Sequence, residues 1–200
     1  LLISNPKLSA ELYLNIAKNP EEEGLQYQDF LEFCFEHIDL KNLLLSEELK
    51  IDIKLLRLIR TELTIHDRQN DLQILKILGE KKNVLWSTEI LREFKDYLDW
   101  SNISSSSSLG YTKSVLEEFK NYWYWDLLSK NESIDFNEDL IHQFDSYWQW
   151  DKLSCNKSVP FSMNLLKKFR TYWNWSELSG NGLVYWSLEL FKEFKDSINY

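Results

Sequence analysis

The side chains that most often carry out catalysis or bind metals are few and isolated in this sequence. Its three histidines are His37, His66 and His142, and its two cysteines, Cys34 and Cys155, lie far apart. A hydrolytic or zinc site needs such groups at short, defined spacings, and no such spacing occurs. Phosphate-binding glycine loops and the nucleophile elbow of hydrolases are also missing from the sequence. We therefore predict a protein without enzymatic activity, with no catalytic residue, no cofactor and no metal.

Charge and hydropathy restrict the partners. The chain has 23 Lys and Arg against 32 Asp and Glu, a formal net charge of −9. A nucleic-acid partner needs clustered basic residues, so the sequence disfavours one. No apolar run reaches the roughly 18 residues that span a bilayer, and no signal peptide is recognisable. The expected location is the cytoplasm, although a chain that starts at Leu1 is expected to be an excerpt of a longer one.

Aromatic residues recur at a fixed interval of 25 positions in the second half of the chain. The aromatic columns are Trp86, Tyr111, Phe136, Phe161 and Trp186; Phe94, Phe119, Phe144, Phe169 and Phe194; and Trp100, Trp125, Trp150, Trp175 and Tyr200. Two loop columns keep the same interval: Ile103, Leu128, Leu153 and Leu178, and Ser104, Ser129, Ser154 and Ser179. Five columns in one register indicate a tandem repeat.

Each repeat contains the signals of one helix. The residue after the leading aromatic is a good N-cap in every copy: Ser87, Thr112, Asn137, Ser162 and Ser187. Counted from this cap, apolar residues fall at positions +3, +4, +7 and +11, which predicts a helix of about eleven residues, or three turns. The following W-x-x-L-S segment predicts a short helix or a 3₁₀ turn. The asparagines after it (Asn131, Asn156 and Asn181) suit a turn with left-handed backbone.

The recurring rings are interpreted as core and not as a ligand surface. A unit of 25 residues cannot bury its own apolar face, so neighbouring repeats must stack on one another. We therefore predict an all-α helical solenoid of 25-residue repeats, each with one three-turn helix and a short helix or 3₁₀ turn. Its structural core is predicted to contain Phe94, Trp100, Phe119, Trp125, Phe144, Trp150, Phe169, Trp175 and Phe194.

The first 85 residues contain no Trp, which divides the chain into an N-terminal helical part, 1–85, and the aromatic repeats, 86–200. The first part is interpreted as degenerate repeats or a cap, with helices predicted at about 27–38, 46–63 and 68–78. The serine run 104–108 keeps the 25-residue register, so it is predicted to be an ordered or half-ordered loop of the array.

The repeat resembles a known type. Three segments, WYWDLLSKN at 123–131, WQWDKLSCN at 148–156 and WNWSELSGN at 173–181, match the Trp-rich W-x-W-x-x-L-S-x-N tandem-repeat proteins of some bacterial and giant-virus genomes. The first copy departs from the pattern, with Leu98 for the first Trp and Ser106 for the Asn. The resemblance implies a repeat architecture and no particular activity.

Three functions remain open. The leading hypothesis is a scaffold for protein–protein interaction, with a protein partner and an undetermined oligomeric state. The predicted interaction face consists of two variable columns: position +6 (Glu93, Glu118, Gln143, Lys168 and Glu193) and position +9 (Asp96, Asn121, Ser146, Thr171 and Asp196). An alternative is a targeting or sensor arm of a longer enzyme. A weaker alternative is carbohydrate binding, which requires exposed rings.

Overall fold

The computed structural model describes residues 44, 50–65, 69–180, 182 and 184–198. Regular structure in these residues is helical, apart from one isolated parallel bridge between Ile51 and Val84. The α-helices, in chain order, are α1 Ile53–Ile65, α2 Thr88–Phe94, α3 Trp100–Ser105, α4 Lys113–Glu118, α5 Trp125–Lys130, α6 Glu138–Gln143, α7 Trp150–Leu153, α8 Met163–Lys168, α9 Trp175–Gly180 and α10 Leu188–Phe194. The all-α prediction is confirmed for the described residues.

The chain divides into two compact units, with the boundary between Asn102 and Ile103. The division predicted between residues 85 and 86 rests on composition and stays a prediction. None of the helices in the described ranges is both long and apolar enough to cross a membrane.

Helix α1 begins later than the sequence suggested. The predicted helix 46–63 is wrong at residues 50–52, because Ile51 pairs with another segment: its amide donates to the carbonyl of Asn83 at 3.0 Å. Asp52 then starts the helix, since its carboxylate accepts from the Leu55 amide at 2.9 Å. An N-terminal acceptor of this kind satisfies one of the amides that a helix leaves free.

The next element is a 3₁₀ helix, Gln69–Glu80, where the sequence predicted a helix at about 68–78. Its buried side chains, Leu72, Leu75 and Leu78, are three residues apart. Because a 3₁₀ helix has three residues per turn, this spacing puts all three on one face. The helix predicted at 27–38 lies outside the described residues.

The main helix of each repeat is shorter than predicted. The three-turn estimate is wrong: α4, α6 and α8 have six residues each and end just before the phenylalanine at position +7. Phe119 already departs from helical backbone, with φ −109° and ψ 23°. A turn then takes over, in which the Tyr122 amide donates to the Phe119 carbonyl at 2.9 Å. The turn still directs the residue at position +11, such as Trp123, towards the core, so the apolar stripe continues beyond the end of the helix.

The predicted helix starts are confirmed. The side chains of Ser87, Thr112, Asn137, Ser162 and Ser187 each accept from the amide three residues on. The short helix is also present in the first four repeats, as α3, α5, α7 and α9. The left-handed turn predicted at Asn131 is wrong, since its φ is −74° and its ψ 107°. Asn181 lies outside the described residues.

Candidate interaction surface

The predicted core residues differ in burial. The phenylalanines of position +7 are at most 4% exposed: Phe94, Phe119, Phe144, Phe169 and Phe194. Trp100 is 8% exposed, whereas Trp125, Trp150 and Trp175 are only half-buried. The fully buried tryptophans are instead those two positions earlier, Trp123, Trp148 and Trp173, which are at most 5% exposed.

The half-buried tryptophans of position +13 join neighbouring repeats. The ring centroid of Trp125 lies 5.2 Å from that of Phe144, 4.8 Å from Tyr147 and 4.9 Å from Trp148, all in the following repeat. Trp150 makes the same three contacts with the next repeat, at 5.0, 5.0 and 4.8 Å. Each indole therefore covers an edge of the repeat that follows it, and such aromatic pairs add stability beyond the area that they bury.

The indole N–H groups are bonded within their own repeat. The nitrogens of Trp125 and Trp150 donate to the carbonyls of Lys120 and Asp145, at 2.9 and 3.0 Å. The buried Trp148 donates to the carbonyl of Ile141 at 3.2 Å. These bonds hold each ring in one orientation against the backbone turn that ends the helix.

The serines of position +17 also connect repeats, a role that the sequence reasoning missed. Ser129 is fully buried. Its hydroxyl donates to the Trp125 carbonyl at 2.6 Å and accepts from the backbone amide of Gln149 at 2.9 Å. Ser154 repeats the pattern, accepting from the Asn174 amide at 3.0 Å. The signal was visible as an unvarying serine column, but a buried partner 20 residues away cannot be read from one sequence.

The asparagines of position +19 reach backwards to the preceding repeat. Asn131 and Asn156 are 8% and 3% exposed, and their amide nitrogens donate to the carbonyls of Ser104 and Ser129, each at 3.0 Å. The Asn131 side-chain oxygen accepts locally, from the Ser133 amide at 2.9 Å. Burial and two-sided bonding explain this column better than the turn preference that predicted it.

The first repeat replaces this asparagine with a different arrangement. Ser106 stands at that position, and the carbonyls of Ile103 and Ser106 lie 2.5 and 2.8 Å from the buried Tyr111 hydroxyl and share its single proton. The side-chain amide nitrogen of Asn131 donates to the Tyr111 hydroxyl at 3.1 Å. Burial raises the pKa of Tyr111, so its proton stays available for these bonds. In the later repeats an asparagine stands at position +19 and the leading aromatic residue that follows it has no hydroxyl, as with Asn131 and Phe136.

The serine run is part of this packing. Ser104 and Ser106 are buried, at 0% and 7% exposure, and the Ser106 and Ser108 hydroxyls lie 2.9 Å apart. Helix α3 itself extends to Ser105. The run is therefore ordered, as one of the two sequence readings expected, but its first two residues belong to helix α3 and only residues 106–108 form the loop.

Position +6, half of the predicted interaction face, makes contacts within the chain. Glu93 is half-buried between Arg57, at 2.8 Å, and Arg60. The other members point outwards but also have partners: Gln143 donates to Glu117 at 3.1 Å, Glu193 lies 3.3 Å from Lys167, and the Lys168 ammonium lies 5.6 Å from the Phe169 ring centre. Glu118 also makes contacts and is exposed.

Position +9, the other half, makes no hydrogen bond or ion pair through its side chains within the described ranges. Asp96, Asn121, Ser146, Thr171 and Asp196 are all exposed. The structure places no hydrogen bond or ion pair on the side chains of Asn121, Ser146 and Thr171, among the described residues. Two tyrosines of the adjacent position +10, Tyr122 and Tyr172, are 36% and 55% exposed. We call positions +9 and +10 of the second to fourth repeats the tyrosine row: Asn121, Tyr122, Ser146, Tyr147, Thr171 and Tyr172.

A cleft of about 350 Å³ lies elsewhere, between the helix starts of the second and third repeats. Its lining includes Tyr111, Lys113, Asp135 and Asn137. Its charged lining residues are one basic side chain, Lys113, and one acidic side chain, Asp135. This mixed lining favours neither an anionic nor a cationic ligand.

The remaining reactive groups do not assemble into a catalytic site in the described part of the chain. His142 is exposed and Asp145 is half-buried, and their side chains lie 3.7 Å apart. Partial desolvation of the exposed Cys155 thiol, together with the neighbouring Glu177 carboxylate at 3.1 Å, raises the pKa of this thiol, which keeps it protonated and weakly nucleophilic. No group of three or more metal-binding side chains occurs among the described residues. His37, His66 and Cys34 lie outside them.

Comparisons with known proteins supply no relative. No protein-family model, no curated protein and no solved structure matches this chain.

Proposed function

We propose that the chain is a non-catalytic helical solenoid that binds a protein partner along the tyrosine row, in the cytoplasm. The resemblance to Trp-rich tandem-repeat proteins belongs to the same proposal. An exposed free thiol at Cys155 suits a reducing compartment.

The solenoid is supported by the direction of the repeat contacts. The Trp125 ring and the Ser129 hydroxyl both contact the next repeat, and the Asn131 side chain contacts the preceding one. Trp150, Ser154 and Asn156 make the equivalent contacts one repeat further along. An array in which every unit packs on its two neighbours is what defines a solenoid.

The observation that carries the interaction proposal is the difference between the two variable columns. Position +6 is occupied by contacts within the chain, as at Gln143 and Glu193, whereas the exposed side chains of Asn121, Ser146 and Thr171 have no partner in the part of the chain that the structure describes. Beside them stand tyrosine rings, which combine apolar area with a polar hydroxyl and are enriched where proteins bind one another. A partner can therefore contact equivalent positions on successive repeats without displacing any internal bond.

The test is a selection of peptides from a random displayed library on the wild-type chain, followed by affinity measurement on variants. The tyrosine-row variant carries Asn121→Glu, Ser146→Glu and Thr171→Glu. The matched control carries Ser107→Glu, Ser133→Glu and Asn164→Glu, which add the same charge at exposed positions elsewhere.

Selected peptides should bind the wild type and the control equally and the tyrosine-row variant at least about tenfold more weakly, a loss of about 1.4 kcal/mol. Fluorescence anisotropy of labelled peptides measures this. Equal binding to all three proteins, or a failure to select any peptide, would refute the proposal.

Carbohydrate binding is the second candidate, and one observation favours it. It needs rings open to solvent, and Tyr124 and Tyr172 are 52% and 55% exposed. Titration with a panel of neutral oligosaccharides, followed by tryptophan fluorescence, tests it, because Tyr172 contacts Trp150 at 5.0 Å. A saturable change that Tyr172→Ala removes would support this function, and no change with any sugar would exclude it.

A further inference from the structure

The fourth repeat differs from the preceding repeats in charge. Residues 161–185 contain three basic side chains and one acidic side chain, whereas each of the first three repeats contains two or three basic side chains against four or five acidic ones. The difference is largest at positions +6 and +8, which flank the buried phenylalanine of position +7. These positions hold an acid and a base in the first, second and fifth repeats and Gln143 with Asp145 in the third, but Lys168 with Arg170 in the fourth.

The two cations of the fourth repeat are not balanced by the chain itself. Lys168 and Arg170 are both exposed, and neither has an acidic partner among the described residues. The third basic side chain of the repeat, Lys167, differs in this respect, because it lies 3.3 Å from the Glu193 carboxylate. We call Lys168 and Arg170 the basic patch.

Aromatic rings support both cations of the basic patch. The Lys168 ammonium lies 5.6 Å from the centre of the Phe169 ring, and the Arg170 guanidinium lies 5.4 Å from that of the Phe194 ring. The Arg170 Nε and one terminal nitrogen also donate to the Ser197 hydroxyl, at 3.2 and 3.0 Å. A guanidinium has five N–H groups, and no described residue accepts from the others. Arg170 is therefore held in position with donors left for an acceptor from outside the chain.

The basic patch adjoins the tyrosine row. Arg170 directly precedes Thr171 and Tyr172 in the chain. The Tyr172 ring, which is 55% exposed, lies 6.2 Å from the same Phe169 ring that contacts Lys168. A partner that lies along the tyrosine row therefore meets positive charge where the row reaches the fourth repeat.

We propose that the partner of the tyrosine row is a protein segment that places Asp or Glu side chains on the basic patch, an inference that rests on the function proposed above. The carboxylates supply the acidic partners that Lys168 and Arg170 lack, and the guanidinium fork can bond both oxygens of one carboxylate. A nucleic acid fits less well, because its phosphates continue along the strand. The second and third repeats, which carry the rest of the row, contain more acidic than basic side chains and repel them.

Two displayed peptide libraries test the charge of the partner. One has Asp or Glu at alternate positions and the other has Lys or Arg there, and the remaining positions are random in both. The wild-type chain should select peptides from the acidic library and bind them at least about tenfold more tightly than any peptide from the basic one. Tighter binding of the basic peptides, or of a short single-stranded oligonucleotide of mixed sequence, would overturn the proposal.

A charge exchange within the chain tests the site. The double variant Lys168→Gln, Arg170→Asp introduces the residues that the third repeat has at these positions. It should bind the selected acidic peptides at least about fivefold more weakly in fluorescence anisotropy, because two ion pairs are lost and a like charge is added. The matched control, Lys130→Gln with Lys157→Asp, changes the net charge equally at exposed positions of the second and third repeats and should bind like the wild type. Circular dichroism verifies that both variants are folded at the assay temperature.

The results distinguish this inference from the function on which it rests. Selected peptides that bind the tyrosine-row variant weakly but the double variant as tightly as the wild type would leave the proposed function standing and overturn the acidic partner. A failure to select any peptide, from these two libraries or from the fully random one, would overturn both.

Discussion

Replacement of Ser129 by alanine tests whether the buried serines hold the repeats together. The hydroxyl is fully buried and accepts from the Gln149 amide of the next repeat at 2.9 Å. Alanine leaves that amide without an acceptor, which costs about 1–3 kcal/mol. The bond donated to Trp125 is also lost, at about 1 kcal/mol, and the better helix propensity of alanine in α5 returns about 0.5 kcal/mol. The expected destabilisation is therefore about 2.5 kcal/mol.

Urea denaturation followed by tryptophan fluorescence measures this change. With a slope of about 2.5 kcal/mol per molar urea, the midpoint should fall by about 1 M at unchanged slope. The control is Ser146→Ala, an exposed serine without a described hydrogen bond, which should change the free energy of unfolding by less than about 0.5 kcal/mol. Hydrogen exchange should speed up at the Gln149 amide in the Ser129 variant and not in the control. If the two variants have equal stability and equal exchange at Gln149, the serine column does not link the repeats.

Three further predictions concern other contacts. Trp150→Ala should lower the free energy of unfolding by about 3 kcal/mol, which is at the lower end for the loss of a large ring because the indole is only half-buried. Urea denaturation measures the change, with Tyr124→Ala as the control. Tyr111→Phe should lower the free energy of unfolding by about 1–2 kcal/mol, because the Asn131 side-chain amide loses an acceptor. Adding Ser106→Asn should recover part of this loss if the asparagine can replace the tyrosine hydroxyl. Additive effects of the two substitutions in a double-mutant cycle would contradict that replacement. Hydrogen bonds from Arg57 and then Arg60 lower the pKa of Glu93 below its ordinary 4.5, so this stabilisation is present above about pH 4.5 and is lost as the pH falls through the lowered pKa. Glu93→Gln should therefore make the melting temperature less sensitive to acid, and an unchanged acid dependence would contradict this.

The sequence alone determined the period, the helix starts and the class of the fold. Cap residues such as Thr112 act through bonds to amides three residues away, so their chemistry can be read from spacing. The apolar stripe likewise follows from helical periodicity, which is why the buried Phe119 and Trp123 were placed correctly on one face. Half of the candidate surface, position +9, was also predictable, because variable polar residues between fixed apolar ones indicate a solvent face.

Only the tertiary structure decided which of these residues have partners in other repeats. Ser129 and Gln149 are 20 residues apart, and the Asn131 side chain reaches Ser104 across 27, distances at which local preferences carry no information. The turn preference of asparagine held locally, since the Asn131 side chain accepts from the Ser133 amide, but it gave no sign of the contact with the preceding repeat. Gln143 is likewise engaged by Glu117 although it varies in sequence like a free surface residue. The main helices of the second to fourth repeats end before position +7 because the chain must turn to bury the tryptophan at position +11, and packing decides that point where propensity does not. Local chemistry fixes where a helix starts, whereas contacts between repeats determine where it stops and which side chains remain free.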